Sequence, residues 1–112
     1  MLLKQNRLKK KKDFEKVFNQ GKIYRHDFLF LKILSNDLEF SRIGFIVSKK
    51  ISKKAVVRNK VKRRLRNIVR KKIVEMKKNN DMIIIALAGI EKKTFKEIES
   101  GITEIFIKTE II

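Results

Sequence analysis

The chain has 112 residues, of which 30 are Lys or Arg and 12 are Asp or Glu, a formal net charge of +18. A soluble domain usually carries a net charge of magnitude about 2–8, so this excess points to a polyanionic partner, nucleic acid ahead of an anionic membrane surface. With no cysteine the chain has neither a disulfide scaffold nor a thiolate zinc site, which suits a reducing cytoplasm, and no apolar run reaches the roughly 20 residues of a membrane-spanning helix.

In chain order, residues 1–12 hold six cations and no acid and read as a basic, mobile leader. Asp13 is the expected N-cap of a short helix carrying Phe14, Val17 and Phe18 on one face, and Gly21 its left-handed stop. Residues 23–34, densest in FLFLKIL, predict one strand; 35–39 predict a turn, and 42–47 a second strand paired with the first as a hairpin. Ser52 is the expected cap of a long helix over about 54–77, stopped by Asn79, Asn80 and Asp81. Residues 82–88 are continuously apolar, as in a strand buried on both faces. Thr94 and Glu97 form a capping box opening a last helix, with Phe95, Ile98, Ile102, Ile105 and Phe106 on one side. Residues 91–112 carry five Glu and four Lys, so this helix is near neutral and reads as structural. The sum is one α+β domain over 1–112, a two-layer α/β sandwich of order α-β-β-α-β-α on a small mixed sheet. A strand–helix–strand crossover defaults to right-handed.

The long helix decides the functional reading. Residues 49–72 contain thirteen Lys and Arg and no acid. At 100° per residue, Val57, Val61, Leu65, Ile68 and Val69 share about a third of the circle, while Asn59, Lys60, Arg63, Arg66, Asn67, Arg70 and Lys71 occupy the rest. Arg58 and Lys62 fall near the edge of the stripe. Arg forks grip phosphate with two hydrogen bonds and Lys adds point charge, so this face suits tracking a nucleic-acid backbone. A plainly solvated helix face would pair its cations with acids, and this one has none nearby.

Ala55, Arg58, Asn59, Lys60, Val61, Lys62, Arg63 and Arg66 fill every position of a motif that resembles the signature of the bacterial ribonuclease P protein subunit. Phe14 and Phe18 after a basic leader, and Val47-Ser48-Lys49-Lys50 before the helix, match as well, so the resemblance spans essentially the whole chain. It implies the protein partner of a catalytic RNA that removes the 5′ leader of precursor tRNA, cytoplasmic, with no obligate protein partner. The enzyme's chemistry then belongs to the RNA and its Mg²⁺ ions, and no cofactor is expected on the protein. The resemblance further implies a left-handed crossover around the motif helix, against the default.

On this reading Arg58, Asn59, Lys60, Lys62, Arg63, Arg66, Asn67 and Arg70 contact the catalytic RNA. Phe14, Phe18, Leu31, Lys49 and Lys50 serve a cleft for the single-stranded leader. Alternation puts Phe28 and Phe30 on one face of their strand and Leu29, Leu31 and Ile33 on the other. The residues do not say which face lines the cleft; the resemblance suggests the Leu31 side. Among other readings, a ribosomal RNA-binding protein would not require the Arg-Asn-Lys-Val-Lys-Arg order. A DNA reader lacks a helix-turn-helix pattern before the basic helix. A free-standing nuclease would need clustered carboxylates or paired histidines, whereas His26 is alone and the acids are scattered.

Overall fold

The structure, a computed structural model, describes residues 3–112. Three α-helices, α1 (Lys11–Gln20), α2 (Ala55–Lys72) and α3 (Phe95–Lys108), surround four strands, β1 (Lys22–His26), β2 (Leu29–Ser35), β3 (Arg42–Ile46) and β4 (Asn80–Ala86). The sheet order is β1-β2-β4-β3, antiparallel except for the β3/β4 pair. β4 is central and almost wholly buried, as its unbroken apolar run requires. Leu29, Leu31, Ile43, Met82 and Ile84 face the main core, where they meet Val61, Leu65, Ile68 and Val69 of α2 and Ile98, Ile102, Ile105 and Phe106 of α3. The opposite face carries α1, whose Val17 packs with Leu8 and Ile83. The two-layer α+β body is therefore the sheet with α2 and α3, and α1 adds a smaller second contact.

The handedness of β3-α2-β4 follows from one residue. The Ile43 side chain enters the core beneath α2, while its carbonyl turns to the outer edge of β3 and accepts from the Leu8 backbone N–H at 3.0 Å. For an L-residue these two directions place β4 to the left of an upward β3, seen from the helices. The crossover is left-handed, as the resemblance implies, and the right-handed default fails here.

Several local expectations are corrected. The run 23–34 is two strands, turned at Asp27-Phe28; His26 pairs with Leu29, and neither turn residue has a positive φ. Phe28 drops into the core against Gly101, where a Cβ would stand 2.6 Å from its Cζ. β2 and β3 are not a hairpin, because β4, apolar on both faces, takes the position between them. Residues 3–12 of the leader are docked: Asn6 Nδ2 donates to the Ser41 carbonyl at 2.7 Å and Leu8 is buried. Met1 and Leu2 lie outside the described residues. Helix α1 starts at Lys11 without a side-chain cap, since Asp13 turns to Arg42. Gly21 is extended, because the chain runs straight into β1. Ser52 Oγ accepts from the Lys54 N–H, but Lys54 holds the cap position of α2, and the helix gives way to a 3-10 turn at Ile73–Glu75. The α3 capping box is present in both directions.

Arg42 ties three elements together. Its Nε and Nη2 donate to the two Asp81 oxygens at 2.8 and 2.6 Å, and Nη1 donates to Asp13 on α1 at 3.2 Å. The hydrogen bond to Asp81 is the first cause that raises the Arg42 pKa above its ordinary value. Removing the guanidinium leaves Asp81, with a side chain only 8% exposed, without its countercharge. Arg42→Met is therefore expected to lower unfolding stability by on the order of 3 kcal/mol in urea denaturation. Glu97 behaves differently: hydrogen bonding to the Thr94 backbone holds its carboxyl below the usual range. Stability from that charge is present above the unfolded pKa and fades as pH falls through the lower folded value. The Tm advantage of the native chain over Glu97→Gln should thus vanish on acidification; an advantage unchanged in acid would rule out the charged cap.

Candidate nucleic-acid interface

Helix α2 presents two unlike sides because its apolar positions recur at i, i+3 and i+4. Val61, Leu65, Ile68 and Val69 are buried, which fixes the roll of the helix. Asn59, Lys60, Arg63, Arg66, Asn67 and Arg70 are exposed as a result, and Lys62 is half-buried. Among the described residues no acid pairs with any cation of α2. Arg58 departs from the expected set. Its Nη1 donates to the carbonyls of Ser52 and Lys53 at 2.9 and 3.0 Å, so it braces the loop entering the helix. Arg64, which the sequence reading did not single out, likewise donates to the Lys93 carbonyl at 3.1 Å and joins α2 to the segment before α3. The free cationic surface is therefore centred on Lys60, Arg63, Arg66 and Arg70.

The second surface lies on the far side of the sheet, beside α1. Phe14 is half-buried; its ring lies on Gly44, where an added Cβ would overlap the ring atoms. Phe18, one turn later, is 37% exposed. Lys32 Nζ sits 4.5 Å from the centre of the Phe18 ring and donates to the Phe18 carbonyl at 3.0 Å. On the neighbouring strand pair, the Arg25 guanidinium stands 5.4 Å from the centre of the Phe30 ring. Two ring–cation pairs thus share one partly open sheet face, a combination able to stack bases and hold phosphates.

Leu31 is not part of that face. It is fully buried in the core under α2 and α3, so its assignment to the cleft is corrected. Side chains alternate along β2, and the residues turned toward α1 are Phe30, Lys32 and Leu34. Arg25, Phe30 and Lys32 are candidates on this face that were not expected from the sequence. A usable signal was there: Lys32 is the single cation in an apolar run, and its parity marks the wetter face. Lys49 and Lys50 are exposed in the turn after β3, where the Ser48 oxygens accept from the Lys50 and Ile51 N–H groups. His26 is held against α3, its Nε2 3.0 Å from Glu104 Oε2 and its ring edge-on to Phe28. Among the described residues no three His, Asp or Glu side chains gather as a metal site would require.

The family model described as Ribonuclease P matches residues 2–110. A "Ribonuclease P protein component" from a Pseudanabaena species is 37% identical, covering 100% of this chain and 97% of the relative. One from Alkaliphilus metalliredigens is also 37% identical, with 96% of each chain covered. Among solved structures, the RNase P protein of Staphylococcus aureus superposes with a TM-score of 0.87 at 25% identity, over 95% of this chain and 96% of that one. The Thermotoga maritima protein gives 0.80 at 26% identity, over 88% and 93%.

Gly44 is where the fold and this interface touch most closely. Gly44→Ala should push the Phe14 ring off β3, visible as altered aromatic chemical shifts, with a stability loss of about 1–3 kcal/mol from overpacking. An unshifted Phe14 ring in a stable Gly44→Ala protein would contradict the close approach.

Proposed function

The chain belongs to the ribonuclease P protein family, and on that premise we propose that it is the RNA-binding subunit of a tRNA-processing ribonuclease P. In this reading it assists a catalytic RNA in removing the 5′ leader from precursor tRNA. The chain offers two surfaces for two RNAs. The exposed Asn59, Lys60, Arg63, Arg66, Asn67 and Arg70 take the catalytic RNA, with Lys62 at their edge. Arg58 supports them by holding the loop before α2. Phe14 and Phe18, with Lys32, Phe30 and Arg25, receive the single-stranded leader. Lys49 and Lys50 add charge on the turn after β3.

The observation that carries the proposal is the cationic face of α2, exposed and, among the described residues, without acids to neutralise it. Phosphates replace the missing counterions, and release of salt ions from RNA drives association. The protein contributes charge neutralisation and a grip on the leader. Bond cleavage, with the Mg²⁺ that supports it, is assigned to the RNA.

Reconstitution with a bacterial ribonuclease P RNA tests this. Adding the protein should permit leader removal at physiological Mg²⁺, while the protein alone should leave precursor tRNA intact. Affinity for the RNA should fall steeply between about 50 and 200 mM salt, as several neutralised phosphates require. Arg63→Ala and Arg66→Ala should weaken assembly with the catalytic RNA. Phe18→Ala should instead weaken precursor tRNA relative to mature tRNA by roughly 5–100-fold, the loss of a stacked base. A shallow salt slope, or equal damage to both steps from both kinds of change, would count against the assignment.

A further inference from the structure

An acid beside an RNA-facing surface needs a reason in a chain of net charge +18, because each carboxylate there weakens the hold on a polyanion. Helix α1 carries two, Asp13 and Glu15. Glu15 is exposed and pairs with Lys11 on the same helix, at 4.0 Å. Asp13 is half-buried, directly precedes Phe14 and accepts from Arg42 Nη1 at 3.2 Å. It makes this bond although the first turn of α1 has no side-chain cap.

The tie is firmly mounted. Asn36 Nδ2 donates to Asp81 Oδ1 at 2.8 Å, and Arg42 grips both Asp81 oxygens. A nearly buried carboxylate thus fixes the guanidinium plane and aims its remaining donor at Asp13. Arg42 and Gly44 flank Ile43 and so share the α1 side of β3. One holds the carboxylate, and the other admits the ring of the next residue. Packing alone does little to set the roll of α1, since Val17 is its single buried side chain. A rotation that frees Asp13 would carry Phe14 off Gly44 and Phe18 off Lys32. We propose that Asp13, held by Arg42, is a positioning residue for leader binding: it fixes the angle at which α1 presents its two phenylalanines, without itself touching RNA. This rests on the reading of the α1 side as the leader surface and deepens it.

Binding of precursor and mature tRNA to the reconstituted RNA–protein complex, measured side by side, tests this. Asp13→Ala removes a negative charge, so charge alone predicts tighter binding of both. Positioning predicts the opposite sign for the precursor, whose advantage over mature tRNA should fall by about threefold or more. Glu15→Ala makes the same change of charge on the same helix and should keep the native ratio. Arg42→Lys retains a countercharge for Asp81 but lacks the fork that reaches two carboxylates, and it should repeat the loss. In a Phe18→Ala background, Asp13→Ala should lower the ratio less than it does in the native chain. The nuclear Overhauser contact between the Phe14 ring and the Gly44 α-protons should weaken in Asp13→Ala, which reports the displacement itself. A ratio unchanged or raised in Asp13→Ala, an equal loss from Glu15→Ala, or full additivity with Phe18→Ala would overturn the role. A native complex with no preference for the leader would sink the broader reading and this role with it. A native preference that Asp13→Ala leaves intact sinks the role alone.

Discussion

Four aliphatic side chains hold a strongly self-repelling helix on the protein. Val61, Leu65, Ile68 and Val69 are buried against the sheet and α3, and at about 1.5–3 kcal/mol each they stabilise that placement by roughly 6–12 kcal/mol, an upper bound. Against this stand like-charge neighbours one turn apart, such as Lys62 with Arg66 and Arg66 with Arg70. Each such pair costs about 0.2–0.5 kcal/mol on a solvated helix. The seam wins by a wide margin, which is why the chain can keep this face unneutralised and still fold. The same burial sets the helix roll, so the residues that dock α2 also decide which cations face outward.

What was legible in the residues follows from strength of pattern. Helix α2, the doubly buried β4 and the α3 capping box each have a signal that involves only their own residues. The failures share a different cause, in that each depends on a partner distant in sequence. Asp13 has the right chemistry for a cap, yet Arg42, twenty-nine positions on, offers it an ion pair instead. The Asp27-Phe28 turn lacks the Asn-Gly type of signal and is stabilised by the space that Gly101 leaves for Phe28. The leader has the composition of a mobile tail, but backbone hydrogen bonding along the free edge of β3 docks it.

The candidate sites divide along the same line. The set on α2 was readable because helical period alone separates buried from exposed positions, and only Arg58, near the stripe's edge, is drawn into local bracing. The cleft set depended on strand parity, where a slip of one residue exchanges the two faces. FLFLKIL contains large apolar residues at both parities, so apolar alternation does not separate the faces and the parity of Lys32 is the one mark of the wetter side. What decides it is the packing of α2 and α3 over Leu29 and Leu31, and that is a property of the assembled sheet. Lys32 keeps its charge on the other side by lying over the Phe18 ring and donating to the Phe18 carbonyl near the C-terminus of α1.

The acids explain why the positive surplus is directed outward. Asp13 and Asp81 are engaged by Arg42, Glu97 and Glu91 receive backbone N–H groups near the start of α3, and Glu104 meets His26. These carboxylates brace the frame at places away from the exposed face of α2. Arg42 is the link that matters most for the second surface. By joining Asp13 on α1 to Asp81 on β4, it sets where α1 crosses the sheet, and so where Phe14 meets Gly44 and Phe18 meets Lys32. Internal ion pairing thus positions the aromatic surface, while among the described residues none reaches the cations of α2, which face solvent with their charge unpaired.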